Sequence, residues 1–341
     1  MEHGKHTSRK EEIMAEIKYL GEEDYLPFME KENEEWKNTY VKQDIFTSFD
    51  GCKLNFYRAT PKDPKAVVVI VHGMAEFFGK YREYMWYLFQ SGYDVYFLEQ
   101  RGHGLSEGKC PEKDIIYIDS YDTYVRDLYS FLKREVMPSN EGKPLLMIAH
   151  SMGGCIGTLL LEEHPEVFKA AILSSPMFKM KSGKYPLIVV KLIGLYARIT
   201  GKLKSLAPNQ KRFNPVPDFE HSSALSKARF DYLFKQRVDD DNYQMTAASF
   251  GWAIESMKAT YKVIKNAHKI KIPVTVMTAG VDHLIDPLGY EAFKKKVPQA
   301  VVHPYETSRH EIFNSDDASR KAYYADVLST LDSYLKDAST K

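Results

Sequence analysis

The stretch Pro144-Leu145-Leu146-Met147-Ile148-Ala149-His150-Ser151-Met152-Gly153-Gly154 decides how this chain is read. An apolar run stops at a serine, two glycines follow, and a helical pattern begins through Ile156, Leu159, Leu160 and Leu161. Strand, sharp turn and helix in that order make a nucleophile elbow, which lifts a serine hydroxyl off the end of a sheet. The helix start sets backbone N–H groups and a positive dipole end beside it. The pattern G-x-S-x-G is met with one departure, Ala149 in place of the first glycine. Strand and helix backbones nearly touch there, and alanine is small enough to serve. The plainer alternative is that Ser151 merely caps a helix.

Working outward from the elbow, strand and helix patterns alternate. Ala66 to Val71 is a continuous β-branched run, as expected of a strand buried on both faces of a parallel sheet. Asp94 to Leu98 and Lys169 to Leu173 read the same way. Helices are expected over Tyr81 to Gln90 and Ser120 to Glu135. Asp50-Gly51, between Val41–Phe49 and Cys52–Arg58, is a hairpin signal. The alternation stops at Pro176, after the sixth strand, and no regular strand signal returns before Ala253. It then resumes with a helix from Trp252 to Asn266, a strand from Val274 to Thr278, a helix from Pro287 to Val297, a strand from Ala300 to Tyr305 and a closing helix from Ala318 to Leu335. Alternation of this kind means a parallel α/β sheet with right-handed crossovers. The implied organisation is an N-terminal tail and helical extension over 1–40, a core over 41–175, a helical cap insertion over 176–252, and the rest of the core over 253–341.

Composition narrows the function. The chain has 341 residues, is 44% hydrophobic and 27% charged, and carries a formal net charge of +1. These are the values of a globular protein, and nothing in them points to nucleic acid. Cys52, Cys110 and Cys155 lack metal-ligand spacing, and an odd, sparse set fits a reducing compartment. The N-terminal stretch is polar and no apolar run is long enough to span a bilayer, so the simplest placement is the cytoplasm. No metal or organic cofactor is expected.

A serine nucleophile needs a base within hydrogen-bond reach and an acid to orient that base. On this topology the chain order is serine, acid, histidine. The loop after Val274–Thr278 offers Asp282 and Asp286. Asp286 precedes Pro287 and a helix, so it reads as a helix cap, which leaves Asp282. The loop after the last strand offers His310 in preference to His303, which lies within the strand. Two N–H donors for a developing oxyanion are expected at Met152, after the nucleophile, and at Met74, in the loop after the first buried strand. His72, His103 and His150 read as structural histidines bonding loop backbone, and Cys155 as a small buried apolar residue.

His72-Gly73-Met74-Ala75-Glu76, Arg101-Gly102-His103-Gly104-Leu105-Ser106, Ala149-His150-Ser151-Met152-Gly153-Gly154 and Gly280-Val281-Asp282 together resemble the monoacylglycerol lipase and lysophospholipase branch of the serine α/β-hydrolases. Bacterial lysophospholipases of that branch are similar in Pro176-Met177-Phe178 and in the Ser-rich stretch before Arg229-Phe230 as well. The resemblance runs from about Val41 onward and leaves the N-terminal stretch out. It implies a mostly parallel eight-stranded sheet flanked by helices, with a cap after the sixth strand. It also implies an ester hydrolase acting through an acyl-enzyme on a single-chain lipid, either a lysophospholipid or a monoacylglycerol.

Three expectations about substrate follow. Glu76 would reach a head-group hydroxyl, or else hold its own loop. Leu187, Val190 and Leu195, in the apolar run Pro186–Leu195, would line an acyl tunnel, or else pack on the core. The cap would make transient contact with a membrane surface, leaving the enzyme cytoplasmic or peripheral. The competing readings are an aminopeptidase or small-ester hydrolase on the same fold and, in another class, a non-catalytic receptor or scaffold. The oligomeric state is not legible.

Overall fold

The computed structural model of the chain describes residues 17–181 and 185–336. At its centre is an eight-stranded sheet. In chain order its strands are β1 (Val41–Thr47), β2 (Lys53–Ala59), β3 (Ala66–Val71), β4 (Tyr93–Leu98), β5 (Leu145–His150), β6 (Ala170–Ser174), β7 (Val274–Ala279) and β8 (Val301–Tyr305). Across the sheet they run β1-β2-β4-β3-β5-β6-β7-β8. Only the β1–β2 and β2–β4 pairings are antiparallel. This is the α/β-hydrolase sheet. Gly51 turns the β1–β2 hairpin at φ 88°, a conformation open to glycine.

β3 explains why the sheet needs cover on both sides. All six of its residues are buried. Val67, Val69 and Val71 join one core cluster, and Ala66, Val68 and Ile70 join the other. The first cluster is closed by α4 (Tyr121–Phe131), α5 (Met152–Glu163), α8 (Phe250–Asn266) and α9 (Leu288–Lys296). The second is closed by α1 (Glu22–Glu30), α2 (Glu32–Tyr40), α3 (Phe78–Gln90) and α10 (Asp317–Lys336). β8 ends the sheet, and its Val301 and Val302 are exposed.

Between β6 and α8 lie α6 (Leu187–Ile199) and α7 (Lys227–Asp239). The sequence shows no strand there, yet Ala247–Ala248 pairs in parallel with Ile115–Ile116. Two residues are too few to show a period. The expected N-terminal helical extension is a pair of helices. α1 and α2 bury Tyr25, Met29 and Trp36 in the second core cluster. Residues 1–16, including the expected tail and Ile13, lie outside the described residues.

Glu162, near the end of α5, is 4% exposed. Burial pushes its carboxyl from 4.5 up to about 8, opposed by the Lys262 and Lys269 ammonium groups. A raised acid stabilises the fold below its unfolded pKa and loses that contribution as pH rises through the folded one. Stability should therefore decline between about pH 4.5 and 8. Glu162→Gln should flatten that decline by at least ~1.4 kcal/mol, the worth of one pKa unit, in thermal unfolding across that range. An unchanged slope would mean Glu162 titrates normally.

Candidate active site

The elbow is built by close approach. Ser151 sits between β5 and α5 at φ 50°, ψ −117°, a conformation costly for any side chain and found where surroundings over-determine it. Its N–H donates to Ser174 O (3.1 Å), and its carbonyl accepts from Met177 N–H (2.9 Å) and Cys155 N–H (3.2 Å). A Cβ on Gly153 would overlap the carbonyl oxygens of Val71 and His72, so the start of α5 packs directly on the end of β3. Ala149 is fully buried, and its Cβ lies 3.5 Å from where one on Gly157 would stand. A larger residue would push strand and helix apart.

The loops after β7 and β8 deliver the partners. Ser151 Oγ lies 2.8 Å from His310 Nε2, and His310 Nδ1 lies 2.7 Å from Asp282 Oδ2. The tautomer with Nδ1–H donating to the carboxylate leaves Nε2 to accept the serine hydroxyl proton. Asp282 Oδ1 accepts from Leu284 N–H (2.8 Å) and Ile285 N–H (3.0 Å), which fixes its rotamer. Burial alone would raise the Asp282 carboxyl, but the His310 contact and these N–H donors outweigh it and hold it below the usual value. Asp286 accepts from Leu288 N–H (3.1 Å) at the start of α9 and pairs with Lys179 (2.9 Å). The helix begins one residue later than expected, with Pro287 as its cap. His303 stays in β8, in register with Met277.

Met152 opens α5, so its N–H has no partner within the helix. Met74 lies in the turn that follows β3, preceding Ala75 at φ 62°. His72 bonds Gly73 O and Gln100 N–H, His103 bonds Arg101 O, and His150 bonds Ser174 O. Burial holds the pKa of His72 and His150 down to about 4 and that of His103 to about 3. Among the described residues, no group of three or more His, Cys, Asp or Glu side chains is placed to hold a metal ion.

Glu76 holds its own loop. It is 2% exposed and accepts from Gly73 N–H, Tyr81 OH (2.6 Å) and Lys80 Nζ (2.7 Å), with His150 Nε2 at 3.6 Å. Burial would raise its carboxyl, but Lys80 and His150 hold it far below the usual range. Lys80 also bonds Glu311 (2.6 Å), the residue after His310. This buried network joins the loop after β3, the elbow and the histidine loop. Lys80 and Glu311 carry no sequence signal of it, because their pairing depends on distant segments meeting.

The expected tunnel residues do not share a face of α6. Val190 is fully buried and packs with Ala197 and Ile254 against α8. Leu195 is 55% exposed and belongs to an outward stripe with Ile188, Leu192, Tyr196 and Ile199. Leu187, at the start of α6, is half-buried. An apolar run of this length covers both a packing face and an outward one, so apolarity alone does not separate them.

A family model described as serine aminopeptidase, S33 matches residues 62–317. The chain belongs to this family. Lysophospholipase L2 of Escherichia coli strain K12 is 28% identical over 284 residues, covering 81% of this chain and 83% of that one. Rat monoglyceride lipase is 32% identical over 234 residues, covering 66% and 68%. The crystal structure of a soluble variant of yeast monoglyceride lipase, in complex with a substrate analogue, has a TM-score of 0.68 at 22% identity. It covers 87% of this chain and 95% of that one, and it shares the fold. The expected resemblance to the lysophospholipase and monoacylglycerol lipase branch holds, and the chain is a carboxylic ester hydrolase.

Removing one partner of a buried ion pair typically costs about 3–5 kcal/mol. Lys80→Leu, which leaves the buried Glu76 and Glu311 carboxylates without their shared cation, should destabilise by roughly that much in denaturant titration. Glu76→Gln should change KM equally for a glycerol ester and an aryl ester. A selective KM rise for the glycerol ester would restore the head-group contact.

Proposed function

We propose that the protein is a serine hydrolase that cleaves a carboxylic ester of a single-chain lipid, a lysophospholipid or a monoacylglycerol, through an acyl-enzyme. The observation that carries the reading is the unbroken chain Ser151 Oγ, His310 Nε2, His310 Nδ1 and Asp282 Oδ2, with contacts of 2.8 and 2.7 Å. Ser151 Oγ attacks the ester carbonyl as His310 Nε2 takes its proton. Negative charge grows on the carbonyl oxygen, which the N–H groups of Met74 and Met152 receive. His310 returns the proton to the leaving alcohol, and Ser151 keeps the acyl group. Water repeats the sequence, with His310 as its base, and releases the carboxylic acid. Asp282 stabilises the imidazolium at each step without taking the proton.

The names of the relatives support a lipid substrate. So does α6, whose five exposed apolar residues form a stripe flanked by Lys191 and Arg198. The helix lies on a lipid surface, apolar side down, where a single-chain substrate partitions. No helix among the described residues is long and apolar enough to cross a membrane. The aminopeptidase reading has the description of the family model behind it, but the cap carboxylates that would hold a substrate amine are engaged: Asp241 is paired with Lys113, and Asp239 with Lys235.

Ser151→Ala should lower kcat by about 10⁶, as for other triad serines, in an ester assay on folded protein. Asp282→Asn should lower it by about 10⁴, while Asp286→Asn, still able to accept from Leu288 N–H, should stay near wild type. Reversed phenotypes for the two aspartates would reassign the acid. Leu192→Glu with Ile199→Glu should weaken sedimentation with phospholipid vesicles and spare turnover of a short aryl ester. Unchanged vesicle binding would place the membrane contact elsewhere.

A further inference from the structure

The segment before β1 lies outside the matched family region, and it is bonded into the site at a distance. Glu22, the first residue of α1, caps the start of α7 from outside: its carboxylate accepts from Ser226 Oγ (2.6 Å) and Ala228 N–H (2.7 Å). The fully buried Arg229 then binds Glu83 on α3 through two bonds of 2.8 and 2.6 Å, with its guanidinium 4.1 Å from the Tyr25 ring centroid. One turn further on, Tyr232 OH accepts from Arg82, which also bonds Asn33 and Glu34 of α2. α1, α2 and α3 thus hold one side of α7 along its first two turns.

The other end of α7 reaches the oxyanion loop. Arg237 Nη2 donates to Ala75 O at 2.6 Å. Ala75 follows Met74 and stands at φ 62°, a left-handed conformation that alanine disfavours and that persists only where its surroundings enforce it. Tyr243, just past α7, stacks on Phe77 with ring centroids 4.3 Å apart. A helix of 13 residues spans about 20 Å, so Glu22 and Ala75 are tied to opposite ends of one rigid rod.

We propose that residues 22–40 and α7 form a clamp that sets the oxyanion loop, with Arg237 as the positioning residue that holds Ala75 in its left-handed turn and so aims the Met74 N–H. The catalytic part rests on the Met74 assignment made above. The clamp gives the N-terminal helix pair, which precedes the matched residues 62–317, a role in the site. It also gives the half-buried Arg237 a task beyond its attraction to the Glu311 and Glu76 carboxylates.

The test uses the full chain, with hydrogen exchange of the 73–79 backbone and steady-state turnover of a short aryl ester read side by side. Arg237→Gln should raise exchange at residues 74–77 and lower kcat about tenfold, with KM within about twofold, a partial loss beside the 10²–10³ of deleting one oxyanion donor. Adding Ala75→Gly should shrink the kcat loss caused by Arg237→Gln, because glycine adopts the turn unaided. A merely structural arginine would show no such coupling. Glu22→Gln should move exchange and kcat in the same direction by a smaller factor, with far-ultraviolet circular dichroism checking the fold. Unchanged exchange at 74–77 in Arg237→Gln would overturn the clamp, and unchanged exchange in Glu22→Gln alone would remove the helix pair from it. Raised exchange with unaltered kcat would uphold the clamp and show that Met74 is not the oxyanion donor.

Discussion

The site depends on one strained residue. Ser151 holds φ 50° because β5 and α5 leave no room for a wider turn: Gly153 lies against the end of β3, and Ala149 faces Gly157. That conformation projects Oγ from the sheet toward the loops after β7 and β8, where Asp282 and His310 meet it. A relaxed serine would lie along the strand and reach neither. The wide parallel sheet is what makes such strain tolerable, since a turn anchored by Ser174 and Met177 on a fully buried β6 and its following loop cannot easily relax.

A second constraint works beneath the first. Lys80 lies between Glu76 and Glu311, while Glu76 also holds Gly73 N–H and faces His150. Each of these residues is within two positions of Met74, Ser151 or His310, apart from Lys80 itself. Ions this deeply buried are costly unless every partner is present. The loop after β3, the elbow and the histidine loop are therefore tied to one another through Lys80 and Glu76.

What the sequence disclosed follows from which forces are local. Ser151, Asp282 and His310 were legible because topology assigns them to particular strand ends, and strand ends show in runs such as Val67–Val71. The cap was legible as a break in alternation, but not the orientation of α6, because the run Leu187–Leu195 is apolar on both its packed and its exposed faces. Which of its two expected roles Glu76 fills, head-group contact or loop support, was not legible for a related reason. A carboxylate beside a reactive loop looks available until Lys80, Tyr81 and His150 close around it. The N-terminal pair was the least legible. Besides the buried Tyr25, Met29 and Trp36, its anchoring includes remote polar bonds such as Glu22 capping α7, and hydrophobic periodicity has no access to a bond across two hundred residues of chain.

The central claim is covalent: the carbonyl carbon of the substrate passes through an ester with Ser151. The most direct measurement is rapid-quench mass spectrometry of the intact protein during turnover of an ester that acylates faster than it deacylates, followed by peptide mapping. The account predicts a transient mass increase equal to the acyl group, located on Ser151 and decaying as carboxylic acid appears. Turnover at the same rate with no adduct, or with an adduct on another residue, would contradict it.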